Sequence, residues 1–165
     1  ARYFQQRFQL SESIVSIMQE WTDMVAEHYR TSIPLKPGVW QFLQELKQQN
    51  IALGVGTSNS MELAQTVLQA NAVWHEFGAV VASHESLRGK PFPDIFLLAA
   101  QKLNVPPEKC LIIEDVLAGV QAAKNAGMTV WAIADSHAGN QQAIERTADF
   151  YAHNFDEIRK KFAIL

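Results

Sequence analysis

The 165-residue chain is poor in cysteine, has no basic excess and contains no apolar run of membrane length. Its one cysteine, Cys110, lies in the run CLIIE, so no internal disulfide can form and its expected role is a small buried hydrophobe. A lone cysteine without a signal-peptide pattern argues for a reducing, cytoplasmic setting. Fourteen Lys and Arg against 17 Asp and Glu leave a formal net charge of -3, with the two signs interspersed. A nucleic-acid surface would want a basic face, so none is expected. The longest apolar stretches are far short of a bilayer span, so no membrane segment is expected either. The five histidines lack metal-ligand spacing. There is no internal repeat and no low-complexity segment.

What is present is a large apolar fraction, 48%, enough to build a substantial core in a chain of this length. Residues up to about 30 read as helix, with Ile14, Ile17, Met18, Trp21, Met24, Val25 and Tyr29 recurring at three- and four-residue spacing and Ser11 or Ser13 able to cap the start. The stretch SIPLKP breaks that pattern, which places a subdomain boundary near Pro34, and Pro37 suits the first turn of a helix ending near Asn50. Apolar runs then alternate with helical patterns. Runs at 51–56, 79–82, 110–113, 129–134 and 150–151 are expected strands, and 60–70, 94–103, 117–126 and 141–147 expected helices. The runs are continuously apolar, as burial on both faces of a parallel sheet requires. Interleaved strands and helices make a doubly wound α/β domain the expected fold.

Ligands of such sheets collect outside the carboxyl ends of the strands, so the residues after each run carry the chemistry. After the first run come Thr57, Ser58, Asn59 and Ser60, whose hydroxyls and helix-start N–H groups form an anion site. Taken alone, the same residues read as ordinary N-capping. After the second run Lys90 stands between Gly89 and Pro91, fixed so that its ammonium can meet a phosphoryl group. Arg88 reads as a solvated charge and Asp94 as a residue favoured by the helix dipole. After the third run Glu114 and Asp115 are adjacent. Two neighbouring carboxylates repel unless a cation or base neutralises them, and hard oxygen ligands of this kind suit Mg²⁺. The bland alternative is capping by Asp115 with Glu114 exposed. Ala118, Gly119, Ala122, Ala123 and Ala126 let the next helix lie close to the sheet, with Gly127 at its C′ position. Asp135, Ser136 and His137 form a possible rim, and Trp74-His75 has no evident place. Nowhere does an Asp-x-Asp pair occur, the arrangement that would set a carboxylate nucleophile beside such a cation.

In their order, GTSN, RGKPFPDIF and IIEDVLAGVQAAKNAGM resemble the haloacid dehalogenase-like hydrolase superfamily, in the branch of β-phosphoglucomutases and sugar-phosphate phosphatases with a helical cap. The resemblance covers about residues 35–135 and implies a Rossmann-like core (34–165) preceded by part of a helical cap (1–33). It implies Thr57 as the phosphate-binding hydroxyl, with the Ser58 N–H joining it and Asn59 beside them. It implies Lys90 as the lysine that neutralises phosphoryl and nucleophile charge, and Asp115 as a Mg²⁺ ligand with Glu114 as its acidic companion.

The resemblance further implies that a first, central strand ending in Asp-x-Asp belongs between the strands of 51–56 and 110–113. The chain opens within the cap region, so a sheet lacking that strand is expected, with two open edges prone to self-association or to strand complementation by another chain. The expected activity of the parent is Mg²⁺-dependent phosphoryl transfer on a small phosphorylated metabolite, as a phosphatase or else a phosphomutase, with this chain inactive alone. The competing expectation is a non-catalytic phosphate-binding or interaction domain. A receiver-type signalling domain would need its acidic pocket near the start of the chain, where the pattern is helical.

Overall fold

The computed structural model describes residues 1–84 and 86–164; Glu85, inside the expected polar connection 83–93, and Leu165 lie outside the described residues. The N-terminal helical region is two helices, α1 (Arg2–Phe8) and α2 (Ile14–Thr31), where one continuous pattern was expected. Gln9 turns left-handed at φ 51° and ends α1, and Ser13 caps α2 by accepting the Ser16 N–H at 3.1 Å. Phe4 packs edge-on against Trp21, joining the two helices.

The remainder alternates strand and helix. It comprises α3 (Val39–Gln48), β1 (Gly54–Gly56), α4 (Met61–Ala70), β2 (Ala79–Val81), α5 (Asp94–Leu103) and β3 (Leu111–Glu114). There follow α6 (Leu117–Asn125), β4 (Thr129–Ile133), α7 (Gln141–Thr147), β5 (Phe150–Ala152) and α8 (Phe155–Phe162). Gly127 occupies the expected left-handed C′ position at φ 73°, and the Met128 N–H reaches back to the Ala123 carbonyl. The expected strand at 51–56 is shorter, because Ile51 and Ala52 lie exposed outside any ladder. Helix α8 was not expected. Asn154 caps it by accepting the Glu157 N–H at 3.0 Å, while Glu157 accepts the His153 N–H at 2.9 Å. Its buried Ile158 and the Arg159 pair with Glu45 hold it against α3.

Every strand pair is parallel: β1 with β2, and β3, β4 and β5 in that order. Alternation along β4 separates two cores. Val130 and Ala132 enter an apolar cluster with α5, α6 and α7, whereas Trp131 enters another with Phe42 and Leu46 of α3 and Ile158 of α8. Helices therefore cover both faces, the doubly wound α/β arrangement expected from the apolar runs.

The sheet is divided between β1 and β3. No ladder joins them, although Leu53, Leu111 and Ile113 all border the same apolar cluster. Ladder alternation turns the backbone of Gly54 and Gly56, and of Leu111 and Ile113, away from their paired neighbours and towards this gap. Burial records the same division. Val130 and Ala132 of β4 are 0% exposed, but no residue of β1 is buried, and in β3 only Glu114 is. In hydrogen exchange on the 165-residue chain, the amides of Leu111 and Ile113 are expected to exchange well ahead of those of Val130 and Ala132. Equal protection of β3 and β4 would mean that another segment closes the gap.

Candidate active site

A cavity of about 440 Å³ lies at the carboxyl ends of β1 and β3, above the gap. It is lined by Thr57 and Ser58 after β1, Glu114 and Asp115 at the end of β3, Lys90 from the loop before α5, and Lys36 from the turn before α3. Residues drawn from four separate stretches of sequence thus converge on one place, where a doubly wound sheet puts its ligands. Another cavity, of about 480 Å³, lies beside β2 and gives Trp74 and His75 their place, with Met61, Gln65 and Phe77. Lys90, Glu114 and Asp115 are not among its lining residues, so the chemistry belongs to the first.

At its floor the Lys90 ammonium donates to Glu114 Oε1, and both side chains are about nine-tenths buried, 10% and 9% exposed. The Lys90–Pro91 bond is cis, and the ammonium also lies 4.7 Å from the centre of the Phe96 ring. Glu114 Oε2 accepts the N–H groups of Asp115 at 2.9 Å and Val116 at 3.2 Å. A Cβ on Gly119 would lie 2.1 Å from the Glu114 carboxyl group, so glycine is what lets α6 begin against this pair. Glu114 is therefore the buried member of the acidic pair, and the reading with Glu114 exposed does not describe it. Arg88 and Asp94 are not independent surface charges either. Arg88 forks onto both Asp94 oxygens at 3.0 and 2.7 Å, and its backbone N–H adds a third bond at 3.1 Å, closing the loop that carries Lys90.

The capping alternative at 57–60 falls to one residue. Ser60 Oγ accepts the Leu63 N–H at 3.3 Å and caps α4, which leaves Thr57 and Ser58 facing the cavity. Thr57 is fixed by its own N–H to the Val81 carbonyl at 2.9 Å, and its hydroxyl accepts the Asn59 N–H at 3.1 Å. Asn59 itself turns away from the cavity lining and donates to the Tyr29 hydroxyl at 3.0 Å, tying this loop to α2. Sequence reasoning saw Tyr29 only as part of an apolar helix stripe.

Asp115 is about a third exposed. Burial raises its carboxyl above the ordinary range, Glu114 raises it further, nearby Lys36 opposes them, and Asp135 adds to the rise. This is negative charge without full compensation, the environment that favours a cation. Among the described residues no group of three or more His, Cys, Asp or Glu is arranged to hold a metal. Glu114 is engaged by Lys90 and two backbone N–H groups, so Asp115 is the carboxylate open to a cation. Mg²⁺ can take a single carboxylate and keep its waters, so Asp115 fits it. Lys36 is the residue that the sequence reading missed, hidden in a segment taken for a pattern-breaking boundary. Its ammonium pairs with Asp135, beyond β4, and lies 3.6 Å from Asp115 Oδ2. Hydrogen bonds from Lys36 and from the His137 N–H hold the Asp135 carboxyl down at about 2. Cys110 is partly buried and burial pushes its thiol up, consistent with the packing role expected of it.

Residues 1–133 match the sequence model of the haloacid dehalogenase-like hydrolases. The chain belongs to that family. It is 43% identical over 94 residues to a β-phosphoglucomutase of Bacillus subtilis (strain 168), covering 57% of this chain and 41% of that protein. It is 42% identical over 76 residues to the fructose-1-phosphate phosphatase YqaB of Escherichia coli (strain K12), covering 46% and 40%. The chain thus spans about two fifths of the length of these curated relatives. Crystalline CbbY from Rhodobacter sphaeroides, in complex with phosphate, superposes with a TM-score of 0.81 at 27% identity, over 90% of this chain and 67% of that one. No helix among the described residues is long and apolar enough to cross a membrane.

Two outcomes test this geometry. Lys90→Met is expected to cost about 3–5 kcal/mol in urea denaturation, because it strands a buried carboxylate. The double variant Lys90→Met/Glu114→Gln should recover part of that loss, and additive effects would count against direct pairing. The Asp135 carboxyl should titrate by NMR near about 2, moving back towards 3.8 in Lys36→Met. Because its pKa is depressed on folding, its contribution to stability is present above the ordinary carboxylate range and is lost as pH falls towards 2.

Proposed function

We propose that this chain carries the phosphate- and cation-binding half of a Mg²⁺-dependent phosphatase acting on a small phosphorylated metabolite such as a sugar phosphate. The observation that carries the proposal is the convergence of Thr57, Ser58, Lys90 and the Glu114–Asp115 pair on one cavity at strand ends. Membership of a hydrolase family, and the phosphatase and phosphomutase names of its relatives, support it.

In this reading the Thr57 hydroxyl and the Ser58 N–H hold a phosphoryl oxygen. Lys90, already oriented by Glu114, turns its remaining N–H donors to the phosphoryl group and offsets its charge. Asp115 would hold Mg²⁺, with Glu114 as the acidic companion, and the ion when bound would neutralise charge on the phosphoryl oxygens. Asn59 acts on the loop through Tyr29 and Thr57 and does not touch the substrate.

The sequence contains no Asp-x-Asp pair, and no described side chain takes the role of a carboxylate nucleophile beside Asp115 in this reading. Such a carboxylate would form the phosphoryl-enzyme bond as the ester bond breaks, and water would then release phosphate. The gap between β1 and β3 is the place from which it would come, on an extended segment that carries such a carboxylate. Exchange protection of Leu111 and Ile113 that rises with protein concentration would mark pairing through that slot. The same lack of a nucleophile favours a second reading, a phosphate-binding domain without turnover.

The chain alone is expected to give no hydrolysis of a generic phosphate ester above background, with or without Mg²⁺. Mg²⁺-dependent hydrolysis abolished by Lys90→Ala would overturn the claim of inactivity. Binding of inorganic phosphate in the presence of Mg²⁺, weakened by Thr57→Val and without turnover, is the outcome that fits both readings of the pocket.

A further inference from the structure

Lys36 occupies an unusual position for a residue in a connecting segment. Upstream, the Leu35 N–H donates to Asn71 Oδ1 at 3.0 Å, and Asn71 Nδ2 donates to the Ile33 carbonyl at 3.0 Å, clipping residues 33–35 to the end of α4. Downstream, Pro37 has a fixed φ. Gly38 follows at φ 86°, so close to α8 that a Cβ on it would lie 2.9 Å from Phe155 Cβ. The backbone is thus held on both sides, and the side chain delivers its ammonium between the ends of β3 and β4.

There it meets two carboxylates of unequal standing. Asp135 is anchored by the His137 N–H at 2.8 Å and pairs closely with Lys36. Asp115 is the more distant partner at 3.6 Å and is itself crowded by Glu114. Asp115, the proposed Mg²⁺ ligand, therefore already has a positive charge beside it. An ammonium and a divalent cation cannot both neutralise one carboxylate without repelling each other.

We propose that Lys36 is a built-in counter-cation for Asp115, held ready by Asp135, and that a divalent cation binds Asp115 only in competition with it. The effect raises the cation concentration at which the site fills. When the cation is bound, Lys36 remains paired with Asp135 and withdraws from Asp115. Lys36 is a positioning residue in this scheme, acting through Asp115. The proposal rests on the reading of Asp115 as a cation ligand.

The test is calorimetric titration of Mn²⁺ into the 165-residue chain at fixed pH and ionic strength. Because the pair is part-exposed, Lys36→Met and Lys36→Gln are each expected to tighten Mn²⁺ binding by about two- to fivefold. Lys36→Arg, which keeps the charge, should stay near the parent value. In an Asp115→Asn background the gain should vanish. Lys36→Gln retains a polar group against Asp135 and serves if the methionine variant folds poorly. Unchanged or weaker binding in both neutral variants, with binding still dependent on Asp115, overturns the role of Lys36 alone. Binding that is indifferent to Asp115→Asn overturns the cation site and this proposal together.

Discussion

The buried pair of Lys90 and Glu114 is the constraint around which the site is arranged. Two charges that are nine-tenths buried are tolerated only where each meets the other and their remaining polar atoms are also satisfied. That demand accounts for several local choices. Glu114 needs the first N–H groups beyond β3, and the chain supplies those of Asp115 and Val116. It needs room, and Gly119 leaves it. Lys90 must approach from a loop held in one shape, and the Arg88–Asp94 fork closes that loop while the Phe96 ring flanks the ammonium. One carboxylate is consumed in making the pair, which is why the adjacent Asp115 is the one left open to the cavity.

The second constraint is the parallel sheet and its division. β4 is covered on both faces and paired on both edges, so its side chains from Val130 to Ile133 are buried. β1 and β3 have one partner each, and their burial falls accordingly. The cavity lies where these two half-covered strands end, so the least complete part of the fold and its most charged part coincide. The α-helical layers compensate only in part, since Phe42, Leu46 and Ile158 gather Leu53, Leu111 and Ile113 around one cluster without joining their backbones.

Most of this was legible in the sequence because continuous apolar runs and helix punctuation are local signals. Asp94 to Leu103 and Gln141 to Thr147 carry their boundaries in their own residues, and Gly127 announced the end of α6. The charged residues after the strands were legible as candidates, since strand ends are where ligands go, but their partners were not. The pairing of Lys90 with Glu114 spans 24 residues, and that of Lys36 with Asp135 spans 99. No periodicity carries such information. Lys36 was missed because proline-flanked segments read as connections, and α8 because it is largely polar. Its signal was nevertheless present in Asn154 and Glu157, spaced as a capping box ahead of Ile158 and Phe162.

The pocket's charges impose an order on whatever binds there. Two ammonium groups, Lys36 and Lys90, stand against three carboxyl groups, Glu114, Asp115 and Asp135, which leaves an excess of one acidic group in a partly desolvated cavity. A phosphate dianion approaching that arrangement is repelled, whatever hydrogen bonds Thr57 and Ser58 offer it. A divalent cation at Asp115 reverses the sign, and only then is the anion attracted. Lys36 tempers both steps: it lowers the pull on the cation by sitting near Asp115, and it keeps the empty pocket from the larger repulsion that Asp115 and Asp135, both unopposed, would produce. Lys90 acts on neither step in the empty pocket, where it faces Glu114, and its remaining N–H donors serve the phosphoryl group once that is bound. The two lysines divide the work by burial, the enclosed one fixing geometry and the half-exposed one setting the balance of charge.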